Sequence, residues 1–296
     1  MTSPVIETAG LTVYYGKHRG IEKLDLQVEK GEVFGFLGPN GAGKTTTIRV
    51  LLDIIRPTKG SARVFGLDCQ TDSVEVRRHV GYLQGELHLP ENMRGRQYLD
   101  MLNALRGGNG DRAYRDELCR RLDLDTSRRV QNYSTGNKQK LGIVAAFMNK
   151  PDLLILDEPT SGLDPLMQQT VLQLVRETQG EGRTVFFSSH ILPEVQAVAN
   201  RVGIIREGSL VAVERVDTLI AQNFRRIRFE FEQSPPEDAF ALDGVVILSQ
   251  MNSSVLLEVS DNMNQVMQTA VQYGIYDVET QPVTLEEVFL AYYGKE

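Results

Sequence analysis

Cysteine is scarce in this chain: Cys69 and Cys119 are the two it has, far apart and in no metal or redox spacing. That excludes a disulfide scaffold and a thiolate zinc site, and it suits reduced thiols in a cytosolic protein. Positive charge is short as well, with 32 Lys and Arg against 39 Asp and Glu and a net charge of −7. A general nucleic-acid binder needs a basic face, so no nucleic-acid partner is expected. Long apolar runs are missing: stretches such as "LGIVAAFM" (141–148) fall well short of the roughly 18–20 residues of a membrane helix. No N-terminal segment has the basic-then-apolar shape of a signal peptide. Any membrane role is therefore expected to pass through a partner. What remains is ordinary for a globular protein, 41% hydrophobic and 24% charged over 296 residues. That is enough for one large domain with a core of its own and a smaller second one.

Residues 1–215 alternate β-branched runs with helical patterns. "EVFGFLG" (32–38), "DLLILDEP" (152–159) and "RTVFFSS" (183–189) read as buried strands of a mostly parallel sheet. Helical spacing follows at 43–55, 134–149, 165–179 and 191–199, so the fold class is α/β with crossover connections. The stretch 86–130, with its glycine-rich loop "RGGNGD" (106–111), reads as a helical insertion. After residue 215 the character changes. "RIRFEFEQ" alternates like a strand, "SPPED" breaks it, and "VVILSQ", "NSS", "VLLEVS" form a hairpin signal. A helix near 262–273, a strand "IYDVETQ" and a capped helix in "TLEEVFLAYYG", with Thr284 and Glu287 as its capping box, complete a small α+β domain over 216–296.

"GPNGAGKT" (38–45) satisfies G-x-x-x-x-G-K-[ST] between an expected strand and an expected helix. At average glycine usage the fixed positions would recur by accident on the order of once per hundred such chains, so a chance turn is the weaker reading. Gly38, Gly41 and Gly43 would let backbone N–H groups wrap a phosphate chain, with Pro39, Asn40, Ala42 and Thr46 completing the nucleotide-binding loop. Lys44 would bring a point charge to the β and γ phosphates, and Thr45 a hydroxyl for Mg²⁺. "LLILDEP" places Asp157 at the tip of an apolar strand, where a carboxylate can serve the same ion. Its neighbour Glu158 can polarise an attacking water. His190 ends "TVFFSSH", from where an imidazole could reach a γ-phosphate; a structural histidine is the competing reading.

"YSTGNKQKLG" (133–142) looks like a helix start built for an anion, with Ser134 as N-cap and Gly136 allowing close approach to the backbone. No lysine loop and no base accompany it. The order of GPNGAGKT, YSTGNKQKLG, LLILDEP, SGLD and SSH resembles the ATP-binding subunit of ABC transporters over roughly residues 4–215. The resemblance implies a P-loop NTPase fold, ATP and Mg²⁺ as cofactors, and ATP hydrolysis coupled to transport. Tyr15 would stack on adenine, Asp164 would lie at a subunit contact, and His190 would be the switch histidine. Two ATPase domains would meet head to tail, so that Ser134 and Gly136 bind the γ-phosphate held by a second copy or a paralogue. The other implied partner is an integral-membrane permease, which would hold the chain peripherally at the cytoplasmic face of the membrane.

Two departures from the family pattern matter. The signature reads Tyr133, Ser134, Thr135, Gly136, Asn137 in place of LSGGQ, a variant that resembles the ABC-2-type exporter branch. In "GYLQGELHL" (81–89) Gly85 falls where the family has its glutamine, so either Gln84 serves Mg²⁺ and water or Glu86 stands in. The tail "PVTLEEVFLAYYG" resembles exporter ATPases of the daunorubicin-resistance and β-exotoxin types. An importer subunit and a soluble ABC ATPase are the alternatives; the signature and tail count against the first, and the absence of a second ATPase domain or long coiled coil against the other.

Overall fold

The computed structural model describes residues 4–108, 110–223 and 225–281. Two compact units divide the chain, Met1–Val213 and Glu214–Glu296.

The first unit is built on two sheets. One is six-stranded, in the order β10-β9-β3-β8-β7-β6. Its members are β3 (Val33–Leu37), β6 (Val80–Leu83), β7 (Leu153–Asp157), β8 (Thr184–Ser189), β9 (Arg201–Arg206) and β10 (Ser209–Arg215). The pairings of β3 with β8 and β9, and of β7 with β6 and β8, are parallel. Every residue of β3, β7 and β8 is buried, which is why these strands read as unbroken apolar runs. The helices between them are α1 (Lys44–Leu51), α2 (Ser73–His79), α3 (Gly95–Leu105), α4 (Arg112–Arg121), α5 (Thr135–Phe147), α6 (Pro165–Gly180) and α7 (Leu192–Val198). The expected helical insertion contains α3 and α4, a single turn of 3₁₀ helix at Val130–Asn132 and connecting loop.

The other sheet was not anticipated by the crossover reading. It is antiparallel, in the order β2-β1-β4-β5, from β1 (Ile6–Tyr15), β2 (His18–Val28), β4 (Lys59–Val64) and β5 (Leu67–Asp68). Register shifts between Thr8 and Leu11 and again between Leu11 and Val13 break its alternation. Its apolar positions, among them Ile6, Leu11, Ile21 and Leu24, join Phe34, Phe36 and Phe186 in one core.

The second unit is a four-stranded antiparallel sheet, β12-β13-β11-β14, from β11 (Arg225–Phe231), β12 (Val245–Met251), β13 (Ser254–Val259) and β14 (Ile275–Gln281). Helix α8 (Val216–Asn223) precedes it, and α9 (Met263–Gln272) lies between β13 and β14. Val266 and Ala270 of α9 share a core with Ile227, Phe229 and Phe231 of β11 and with Phe240. The helix expected in "TLEEVFLAYYG" lies outside the described residues. No helix among the described residues is long and apolar enough to cross a membrane. Both cysteines are free, and burial pushes the Cys69 thiol up to about 12 and that of Cys119 to about 11, so neither is a ready nucleophile.

Phe186 pairs with Phe34 across β8 and β3, their rings stacked at 5.8 Å, and its ring lies 5.4 Å from that of Phe36. Phe186→Ala is expected to cost about 3–5 kcal/mol through the cavity it opens in this trio. Denaturant unfolding of the chain measures it, and an unmoved midpoint would contradict the packing.

Candidate functional site

The parallel register brings the C-terminal ends of β3, β7 and β8 side by side, with Leu37 opposite Ser189 and Asp157 opposite Ser188. In such sheets, ligands gather at this end. The chain leaves β3 through the glycine loop and enters α1 at Lys44. Gly41 and Gly43 hold φ angles of +82° and +111°, conformations that a side chain would resist and that turn successive N–H groups toward one point. A β-carbon on Gly43 would also lie 2.7 Å from the Ile21 side chain. Gly38, Ala42 and Lys44 are buried, whereas Pro39, Asn40 and Gly41 are exposed at the rim. Lys44 folds back over its own loop, its Nζ donating to the carbonyls of Gly38 at 2.7 Å and Pro39 at 3.2 Å.

Asp157 is 1% exposed and fully partnered. Its Oδ2 accepts from the Thr45 hydroxyl at 2.9 Å and its Oδ1 from the Ser188 hydroxyl at 2.5 Å. Thr45 and Asp157 thus place two hard oxygen donors together, a set that fits Mg²⁺ completed by phosphate and water. Glu158 adopts φ +51°, in the left-handed region. Its N–H is shared between the Ser188 carbonyl and hydroxyl, both at 3.2 Å. Its carboxylate is bracketed, with Oε1 3.3 Å from Lys44 Nζ and Oε2 2.8 Å from His190 Nδ1.

A cleft of about 480 Å³ opens over this group, lined among others by Asn40, Thr45, Gln84, Asp157, Glu158 and His190. Gly85 and Glu86 line it too, so both candidates for the glutamine role reach the same space. A β-carbon at Gly85 would lie 3.0 Å from Asp157 Oδ2, which puts the backbone of this segment against the carboxylate. Tyr82, at the cleft wall, has its phenol pushed up to about 12 by burial, with Asp157 adding to the effect and Arg49 opposing it. Tyr15 stands exposed beside the loop's exit, its hydroxyl 3.4 Å from that of Thr46.

Ser134, Gly136 and Asp164 do not line this cleft among the described residues. Ser134 is the N-cap of α5, accepting from the Asn137 N–H at 3.2 Å, and is exposed. Gly136 packs against its own chain, since a β-carbon there would lie 3.1 Å from the Gly162 carbonyl. Asp164 caps α6 by accepting from the N–H groups of Leu166 and Met167 at 3.1 and 3.0 Å, so its side chain has a local structural duty.

Three residues escaped the motif reading. Ser188 holds both Asp157 and Glu158. Glu194, buried in α7, accepts from the Ser189 hydroxyl at 3.1 Å. Burial pushes its carboxyl above the usual range, Glu158 reinforces this, and hydrogen bonds from Thr160 and Ser189 oppose it. Gln139 is 5% exposed and donates to the carbonyls of Glu158 and Pro159. The contacts of Ser188 with Asp157 and of Gln139 with Glu158 join segments 31 and 19 residues apart, whereas Glu194 meets Ser189 five residues away.

A lysine-bearing glycine loop between a buried strand and a helix, with a carboxylate closing on it from β7, the next strand but one in the sheet, defines a P-loop ATPase. Residues 21–161 match the family model of the ABC transporter. The chain is 38% identical over 231 residues to the bacitracin transport ATP-binding protein BcrA of Bacillus licheniformis, covering 77% of this chain and 75% of that one. It is 34% identical over 309 aligned residues to the daunorubicin resistance ATP-binding protein DrrA3 of Streptomyces coeruleorubidus, covering 100% of this chain and 98% of that one. A solved ATP-binding subunit of an ABC transporter superposes with a TM-score of 0.67 at 28% identity, over 74% of this chain and 92% of its own. The chain belongs to the ABC transporter family, as an ATP-binding subunit that hydrolyses ATP to power a transporter.

Lys44→Ala removes the cation and both loop contacts. ATP binding is expected to weaken by roughly ten- to a hundredfold, the worth of a charge-assisted hydrogen bond of about 1.5–3 kcal/mol. Calorimetric titration reads the change, and unaltered affinity would remove Lys44 from the phosphate site.

Proposed function

We propose that this chain energises an exporter, using ATP-driven closure of two ATPase subunits on a separate membrane permease. The observation that best supports the chemical half of this reading is the bracketed carboxylate: Glu158 sits between Lys44 and His190 at the mouth of the cleft. The relatives named for bacitracin transport and daunorubicin resistance favour an exporter over an importer. The domains would be residues 1–215 for ATP binding and 216–296 for a small α+β domain that either stabilises the dimer or regulates it.

ATP would lie with its phosphates in the Gly38–Thr46 loop and its adenine against Tyr15. Lys44, now turned onto its own loop and onto Glu158, would transfer to the arriving β and γ phosphates. That exchange would release the Glu158 carboxylate to accept a proton from water as the water oxygen bonds to the γ-phosphorus. The bond from phosphorus to the β-bridging oxygen would break, giving ADP and phosphate. His190 would orient the carboxylate through Oε2 and face the γ-phosphate. Thr45, Asp157 and Gln84 would hold Mg²⁺, whose charge offsets that of the phosphates when it is bound. Ser134 and Gly136, outside the cleft, would serve the ATP of a second copy or a paralogue, with Asp164 at the contact between subunits. The chain would then sit at the cytoplasmic face of the membrane, held there by the permease.

Glu158→Gln is expected to abolish turnover while keeping ATP affinity, because the loop and Lys44 are untouched. Steady hydrolysis at the wild-type rate would sink the assignment. If Gln84 serves Mg²⁺, Gln84→Ala slows hydrolysis while Glu86→Ala does little; the reverse order in a side-by-side ATPase assay would give the role to Glu86.

Sharing of sites between subunits is tested by mixing one chain carrying Ser134→Arg with one carrying Lys44→Ala. Both substitutions then fall on the same composite pocket, and the other keeps an intact Lys44 facing an intact Ser134. One ATP-dependent closed site is expected to survive. A mixed dimer that forms but does not close around a single ATP would refute the shared site.

A further inference from the structure

Gln139 lies five residues beyond Ser134 on the same chain but is turned the other way, into the protein. Its amide nitrogen donates to two successive main-chain carbonyls, Glu158 at 3.2 Å and Pro159 at 3.0 Å. These carbonyls belong to the turn that carries the bracketed carboxylate. The turn is strained, because Glu158 holds φ +51° with a β-carbon in place. Its amino side is fixed by the two bonds from the Glu158 N–H to Ser188. Among the described contacts, Gln139 supplies the side-chain donor on the carbonyl side. With both ends of the peptide held, the direction of the Cα–Cβ bond is set, and with it the place where the carboxylate meets Lys44 and His190.

We infer that Gln139 is a positioning residue for ATP hydrolysis, holding the Glu158–Pro159 backbone so that the Glu158 carboxylate points at the attacking water. The inference rests on the reading of Glu158 as the base. A misplacement on the order of 1 Å is enough to cost about a hundredfold in rate when it falls on a reacting group. The competing role is space-filling, for which a side chain of similar volume without the donor would serve equally well.

Gln139→Met keeps the length and much of the volume but cannot donate. Gln139→Glu keeps the shape and turns a carboxylate toward two carbonyl oxygens. In the full-length chain both variants are expected to retain ATP affinity within about twofold by calorimetry and to keep KM, while kcat falls at least tenfold or so, as for loss of an interaction felt in the transition state. Wild-type kcat in Gln139→Met would overturn the role. So would parallel losses of melting temperature, affinity and kcat in both variants, since a purely structural residue gives that pattern. If Gln139→Met does not fold, Gln139→Glu supplies the same comparison. Glu158→Gln is measured alongside: if it hydrolyses ATP normally, the base assignment has failed. If it is inactive and Gln139→Met is not impaired, the positioning role alone has failed.

Discussion

A carboxylate at the end of a strand covered on both faces has little water to turn to, and leaving it unpaired would cost several kcal/mol. Asp157 avoids this through two hydroxyls, Ser188 on the adjacent strand and Thr45 on the first turn of α1. Each partner constrains something larger. Ser188 reaches Asp157 because β7 and β8 run parallel in one register, the two residues lying opposite each other. Thr45 reaches it because α1 begins immediately after the glycine loop, so the loop's position over the sheet is tied to the same carboxylate. Ser188 then extends the arrangement to the backbone of Glu158. Two sheet strands, one helix and two loops thus converge on a single buried charge.

This dependence explains which parts could be read from the sequence. Strands β3, β7 and β8 are buried along their length, so they appear as apolar runs, and their ends carry the motif residues. The antiparallel sheet left a fainter trace. β1 alternates imperfectly and carries register shifts, so "IETAGLTVYY" matches no clean period. In the second unit, β11 alternates buried and half-buried positions along "RIRFEF", and the strand was legible for that reason. Glu158 and His190 could be named separately, but their 2.8 Å contact depends on strand register. Ser188, Gln139 and Glu194 act through partners 31, 19 and 5 residues away along the chain; no local pattern encodes the first two of those separations.

Polar residues of α5 differ in burial along its length. Ser134 and Thr135 at its start are exposed, whereas Gln139 and Lys140 are buried. Its packing is close: a β-carbon at Gly142 would lie 2.8 Å from the Leu83 side chain at the end of β6. Because both lie on one helix, the exposed N-terminus and the buried amide of Gln139 keep a fixed spacing.

The backbone of Glu158 has an evolutionary consequence. Left-handed φ is free for glycine and tolerated by asparagine, while other side chains pay about 1–2 kcal/mol there. Glycine at position 158 would relax the turn yet leave no carboxylate beside Lys44 and His190. With Glu158 as the proposed base, selection for a sturdier fold and selection for turnover would favour different residues at one position. A library screened for heat resistance alone is expected to favour glycine at this position, since the fold by itself does not ask for glutamate there.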